Sequence, residues 1–319
     1  MTSDDAGETL AQVGEFGVIA RLVAGRRQPP SVVLGPGDDA AVVSVPDGRT
    51  VVSTDMLVAG RHFRLDWSTP FDVGRKAIAQ NAADVEAMGA RAGAFVVAFG
   101  APSDTPAEEA LALADGLWHE AGLLGAGIVG GDLVRAPQWV ISVTVFGDLD
   151  GRRPVRRDGA GPGQTVAVAG ALGRSAAGYA LWNNGIDSYG ELRRCHVAPE
   201  PPYGQGRVAA DGGATAMTDV SDGLLADLGH IAEASGVGID LSTDALSGFR
   251  DALAGPATEV GADPWEWVLG GGEDHALVAT FPDAPPPGWT VIGATTAGEG
   301  AVTVDGAAWQ GNPGWQSFD

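Results

Sequence analysis

The chain has 319 residues, a formal net charge of −22 and 45% hydrophobic residues, enough for two domains with separate cores and a charge that repels nucleic acid and anionic membranes. No uncharged apolar run approaches the ~20 residues of a membrane span, and the acidic stretch MTSDDAGETL lacks the basic start and apolar centre of a signal peptide, so a cytoplasmic protein is expected. The single cysteine, Cys195, rules out an internal disulfide and cysteine-based zinc or redox motifs, and the single lysine, Lys76, does not end a P-loop.

In chain order, VVLGPGDDAAVV (32–43) first resembles a Gly-x-Gly-x-x-Ala dinucleotide loop. It runs on into a β-favouring segment rather than a helix, and Asp38 and Asp39 would repel a bare pyrophosphate. Phosphate is expected here only behind a cation. Strands are predicted at 40–45 and 51–54. Thr69-Pro70 caps a helix with apolar residues at helical spacing that ends near Gly89. AGAFVVAFGAP is a buried strand, and Thr105 to Glu108 reads as a capping box before a second long helix. GAGIVGGDL and WVISVTVFGDL are two more strands. This half is an α+β layer rather than a doubly wound sheet.

Composition shifts to Gly, Pro, Arg and Asp in GDLDGRRPVRRDGAGPGQ, which sets the expected boundary between domains 1–148 and 149–319. Strands TVAVAG, ATAMTDVSD, VGIDLS, HALVATF and WTVIGATTAG follow, with helices GRSAAGYALWNN and GLLADLGHIAEASG. His196 is placed in a loop beside prolines. His119 and His230 are expected at partly exposed or core-edge positions on helices.

Carboxylates recur at strand ends or on helix faces: Asp38-Asp39, Asp55, Asp84, Asp132, Asp219, Asp222 and Glu273-Asp274. Any one alone reads as a capping or turn residue. Together, as an oxygen-only set, they suit Mg²⁺, which takes carboxylates, waters and substrate phosphates. His62 follows the STD stretch closely enough to stay near such a site, and His275 adjoins GGED.

The motifs GEFGVIARL, GPGDDAAVV, STDMLVAGRHF, NAADVEAMGA, GGDL, RRDGA, MTDVSDGL, GGGEDHAL and a closing GW, in that order over nearly the whole chain, resemble the thiamine-monophosphate kinases. That family belongs to the superfamily of aminoimidazole ribonucleotide synthetase and selenophosphate synthetase. The resemblance implies a two-domain aminoimidazole ribonucleotide synthetase-like architecture of α+β class. In it an N-terminal domain forms a homodimer through its strands, and a C-terminal α/β domain covers the nucleotide. It implies transfer of the ATP γ-phosphoryl group to thiamine monophosphate with several Mg²⁺ ions, the last step in making thiamine diphosphate. Carried over by position, Asp38, Ser53, Thr54, Asp55, Asp84, Asp132, Asp219 and Asp222 are implied Mg²⁺ ligands. Asp38, Asp55, Asp84, Asp132 and Asp222, with Arg157, are the implied catalytic set. Gly131, Asp132, Arg157 and Ser221 are implied ATP contacts, and His62, Glu273 and Trp315 form the implied thiamine-phosphate pocket. The chain departs from the family at His275 and Ala276, usually tyrosine and glutamate, and at Ser317, often histidine. The reactive N-terminal cysteine and lysine of selenophosphate synthetase and the C-terminal cysteine of the hydrogenase-maturation relative are absent.

Overall fold

The computed structural model describes residues 8–36, 40–298 and 300–315. Asp38, Asp39 and Ser317 lie outside the described residues. Contacts divide the chain into two compact units, 1–81 with 92–148 and 82–91 with 149–319. No described helix is long and apolar enough to cross a membrane.

The first unit opens with α1 (Leu10–Val13), held by a reciprocal Thr9/Gln12 capping box, and α2 (Glu15–Val23). Two short antiparallel strands follow, β1 (Val32–Leu34) and β2 (Val42–Val43). The strand predicted at 40–45 is therefore only two residues long. β3 (Val51–Val58), β4 (Arg91–Ala101), β5 (Gly127–Arg135) and β6 (Val140–Asp148) build a sheet in the order β3-β6-β4-β5. α3 (Pro70–Ala87) and α4 (Ala107–Leu123) separate them in sequence.

The predicted cap of α3 is present: Asp72 N–H donates to Thr69 Oγ1 at 3.2 Å, and Asp72 Oδ2 accepts from Thr69 N–H at 3.1 Å. The predicted cap of α4 is not. Pro106 precedes that helix with no side-chain cap, and Thr105 instead pairs through its backbone with Leu10. β3 and β6 alternate by the two-residue period of a strand: Val52, Thr54 and Met56 stand on an exposed face opposite Phe146, Thr144 and Ser142, while Ser53, Asp55 and Leu57 share the other face with Val145, Val143 and Ile141.

The second unit is a six-stranded sheet of β7 (Thr165–Ala169), β8 (Ala216–Asp219), β9 (Val237–Leu241), β10 (Leu277–Phe281), β11 (Thr290–Ala297) and β12 (Val302–Val304), ordered β12-β9-β11-β7-β10-β8. β7 and β10 are apolar apart from Thr165 and Thr280 because both faces are covered: Val166 and Val168 pack into one cluster, while Ala167 and Ala169 pack into another with Met217, Phe281 and Trp289. The helices are α5 (Arg174–Asn183), α6 (Gly190–Val197), α7 (Gln205–Asp211), α8 (Leu224–Ser235), α9 (Thr243–Val260) and α10 (Pro264–Gly270). His196, expected in a loop, lies in the last turn of α6, because the prolines after it stop the helix instead of excluding it.

α10 leads directly into the GGED loop. It is capped by Asp263, whose Oδ1 accepts from Trp265 N–H at 2.9 Å, with Pro264 at its first position. Asp263→Ala is expected to cost about 1 kcal/mol, read as a lower urea midpoint.

Candidate functional site

Within the second unit, β8 and β10 run antiparallel with Asp219 opposite Leu277, so the end of β8 meets the segment entering β10. Glu273 N–H donates to Ser221 O at 2.8 Å and His275 N–H to Val220 O at 2.9 Å. Those two bonds set GGED against TDVSD. From the C-terminal side, Trp315 N–H donates to Asp222 O at 2.8 Å and Ala226 N–H to Pro313 O at 3.1 Å. Ser221, Asp222, Glu273 and Trp315, drawn from three separate stretches of sequence, are thereby joined.

Asp219 is buried, and its Oδ2 lies 3.0 Å from His275 Nδ1. Burial disfavours the imidazolium, but the hydrogen bond and charge of Asp219, with Glu273 and Asp84 adding to the field, outweigh it and hold His275 above its usual range. Asp84, half-buried on α3, thus belongs to the same electrostatic neighbourhood. Burial raises the Asp222 carboxyl, aided by Asp219, while the fields of His230, His275 and Arg157 oppose the shift. Arg157 itself is exposed in a 3₁₀ turn after the second unit's first loop.

Two carboxylates support these groups: Asp227, absent from the sequence-derived carboxylate set, and Asp274, named in it beside Glu273. Asp227 accepts the N–H groups of Asp222 and Gly223, each at 3.0 Å, and burial, reinforced by Asp219, pushes it up to about 7. An acidic residue in the first turn of α8 is the sequence signal for it. Asp274 closes the start of α5, accepting from Gly173 N–H at 2.6 Å and Ser175 N–H at 2.8 Å; burial outweighs these bonds and raises it to about 7.

A carboxyl raised in the fold stabilises while protonated, so these two contributions are complete below about pH 4 and are lost as pH rises through 7. Asp274→Asn is expected to flatten the fall in urea stability between about pH 4 and 7, in EDTA, by up to about 1.4 kcal/mol per pH unit. An unchanged slope would contradict it.

The first unit carries the other predicted residues. Ser53 and Asp55 share the face of β3 beneath α3, where Asp55 N–H donates to Asn81 Oδ1 at 3.1 Å. Thr54 points to the opposite face and donates to Val143 O at 2.9 Å, so the three side chains do not converge. His62 Nδ1 accepts from Val58 N–H at 3.0 Å, which places the ring proton on Nε2. The buried Lys76 donates to the His62 carbonyl at 2.9 Å. Gly131 and Asp132 are exposed on the edge strand β5, where Asp132 Oδ1 accepts from Leu133 N–H at 3.0 Å.

Among the described residues no three His, Cys, Asp or Glu side chains form a group able to hold a metal ion. The available donors are carboxylate and hydroxyl oxygens, a set that fits Mg²⁺ completing its shell with water and substrate phosphate rather than a closed protein cage. A hollow of about 460 Å³ in the second unit, lined by Thr243, Glu266, Asp305 and Trp309 among others, contains none of the predicted residues.

Residues 37–149 match the AIR synthase related protein N-terminal domain, and residues 161–305 the AIR synthase related protein C-terminal domain. A thiamine-monophosphate kinase of Mycobacterium tuberculosis strain CDC 1551 is 69% identical over 310 residues, covering 97% of this chain and 93% of that protein. Among solved structures, the thiamine-monophosphate kinase of Stenotrophomonas maltophilia K279a is 32% identical with a TM-score of 0.78, covering 92% of this chain and 95% of its own. AaThiL complexed with AMPPCP and TMP is 30% identical with a TM-score of 0.78, covering 98% and 99%.

Proposed function

The chain belongs to the AIR synthase related family, and from that premise we propose that it transfers the γ-phosphoryl group of ATP to thiamine monophosphate, giving thiamine diphosphate and ADP. The observation that carries this reading is the joining of Asp219, Ser221 and Asp222 to Glu273 and Trp315. Oxygen donors for a metal-bound phosphate stand beside an acid and an exposed indole, the partners a cationic heterocycle calls for. A substrate that is a phosphate at one end and a cation at the other matches both. The kinases named above, similar over nearly the full chain, support the same reaction.

The acceptor is a phosphate monoester with a second pKa of about 6, largely dianionic at neutral pH, so no strong general base is needed. The obstacle is repulsion between anions. Asp55, Asp84, Asp132, Asp219 and Asp222, with Ser53, Thr54 and Asp38, are the residues proposed to hold Mg²⁺. When bound, the ions supply charge neutralisation and alignment for in-line transfer. Arg157 adds an exposed cation toward the nucleotide phosphates in place of a P-loop lysine. Gly131 and Ser221 complete the ATP contacts, and His62, presenting Nε2–H, joins Glu273 and Trp315 at the acceptor.

The exposed β3 face, with Val52 53% and Met56 54% accessible, supports a homodimer joined through this sheet. Sedimentation is then expected to give twice the chain mass of 32.3 kDa, and Val52→Asp with Met56→Asp to give the monomer. A cytoplasmic location completes the proposal, supported by the lone Cys195.

The reaction is tested with purified protein, Mg²⁺, ATP and thiamine monophosphate, phosphorus NMR following the new diphosphate resonances. Thiamine diphosphate formed one-for-one with ADP and abolished by EDTA is the expected result. ATP consumed only with free thiamine or an aminoimidazole precursor would overturn it.

A further inference from the structure

α5 and α6 cross closely because Gly178 carries no side chain: a Cβ there would lie 2.2 Å from the Leu192 carbonyl oxygen and 3.0 Å from His196 Cβ. The crossing buries the His196 imidazole against α5. Its Nδ1 lies 3.1 Å from Ser175 Oγ, and its ring meets Tyr179 edge-on with centroids 5.4 Å apart. The same Nδ1 lies 3.4 Å from Glu273 Oε2. Ser175 is 1% and His196 9% accessible, so this arrangement is built into the interior.

Serine, histidine and an acid are the residue types of a nucleophilic triad, but here both partners meet one ring nitrogen. A triad needs them on opposite nitrogens, one taking the serine proton while the acid holds the N–H of the other. The group therefore holds rather than reacts. A carboxylate oxygen offers only lone pairs, so the 3.4 Å approach of Glu273 Oε2 is favourable when Nδ1 carries hydrogen, and in that tautomer Ser175 Oγ, 3.1 Å away, accepts from the same N–H.

What it holds is unusual. Glu273 and His275 both have positive φ, 64° and 53°, a conformation non-glycine residues adopt only when their surroundings impose it. The backbone is pinned on each side by the Ser221 and Val220 carbonyls and by the Asp274 cap on α5. With the backbone fixed, the side-chain torsions decide where the Glu273 carboxylate stands, and His196 Nδ1 contacts that carboxylate at 3.4 Å. An imidazole can orient a carboxylate without the permanent charge by which arginine or lysine would cancel it.

We propose that His196, backed by Ser175, is a positioning residue for acceptor recognition, fixing the Glu273 carboxylate toward the cationic heterocycles of thiamine monophosphate. The inference rests on Glu273 being an acceptor contact, as proposed above. The test is steady-state kinetics on the full chain, with calorimetric binding of thiamine monophosphate beside a non-hydrolysable ATP analogue. His196→Phe keeps a ring against Tyr179 but has no donor. It is expected to raise KM and Kd for thiamine monophosphate about tenfold, the worth of one hydrogen bond to a charged group, with kcat and the KM for ATP nearly unchanged. His196→Asn, whose side-chain N–H falls where Nδ1–H was, is expected to return both constants to within about threefold of wild type. Ser175→Ala, a smaller change that keeps its backbone bond to Asp274, is expected to raise KM about threefold and keeps the question answerable should His196→Phe not fold.

Glu273→Gln, run in parallel, separates the two readings. If it weakens acceptor binding while His196→Phe and Ser175→Ala do not, the clamp is wrong and the Glu273 assignment stands. If Glu273→Gln leaves acceptor binding at the wild-type value, both fail. Equal losses in kcat and in the KM for ATP, with no rescue by asparagine, would mark His196 as merely structural and overturn the proposal.

Discussion

Asp84→Asn is expected to lower kcat by roughly 10³-fold, the scale seen when one electrostatic contributor is removed from a preorganised site, while leaving the fold intact. Asp84 stands half-buried on α3, and its field reaches His275, the residue bonded to Asp219. Asparagine keeps its size and place on the helix and removes only the charge that would hold a cation. The loss is therefore expected in turnover and in Mg²⁺ dependence together: the Mg²⁺ concentration for half-maximal rate rises, and excess Mg²⁺ restores part of the activity. Thermal melting in EDTA separates this from misfolding. Asparagine fills the same volume at a half-buried position, so the variant's Tm in EDTA is expected to stay close to that of the parent. A variant within about tenfold of wild-type kcat would remove Asp84 from the metal set.

The residues on which that expectation depends were legible in sequence because the chemistry demands particular side chains. Carboxylates at strand ends or on helix faces can be recognised without knowing how the elements meet, and Asp84, Asp219 and Asp222 were picked out that way. The contacts that organise them were not. Asp274 caps a helix 99 and 101 residues distant in sequence, and Ser175 meets His196 only because α5 and α6 cross. No local pattern encodes either contact.

Secondary structure divides on the same line. Thr69 and Asp72 form a cap that spacing alone reveals, whereas Thr105 had the right spacing and is claimed by a backbone bridge to the N-terminal segment. α9 was missed because Gly248, Gly255 and the internal Pro256 dilute its helical signal, and burial of Leu246 and Leu253 sustains it. The Asp263-Pro264 start of α10 was readable by the rules of helix initiation and went unassigned because the helix is only seven residues long.

Gly272→Ala is expected to destabilise the chain by about 2–3 kcal/mol and to reduce kcat by at least about 10²-fold, the effect of displacing a positioned group by an ångström. The reason is space. A Cβ on Gly272 would lie 2.4 Å from the Ser221 carbonyl oxygen and 3.0 Å from the Asp222 carbonyl carbon. Both are backbone atoms, so no rotamer change relieves the contact, and the loop must move away from the turn after β8. That movement would lengthen the Glu273–Ser221 bond and pull His275 from Asp219, separating the acceptor residues from the proposed metal ligands. Gly229 on α8 supplies the comparison. A Cβ on Gly229 would meet nothing within 4 Å, so Gly229→Ala is expected to stabilise by about 0.5–1 kcal/mol through helix propensity alone and to leave the kinetics unchanged. Urea unfolding and turnover measured on both variants decide the matter. If Gly272→Ala matched Gly229→Ala in stability and rate, the close seating of GGED on the β8 turn would not be what assembles the site.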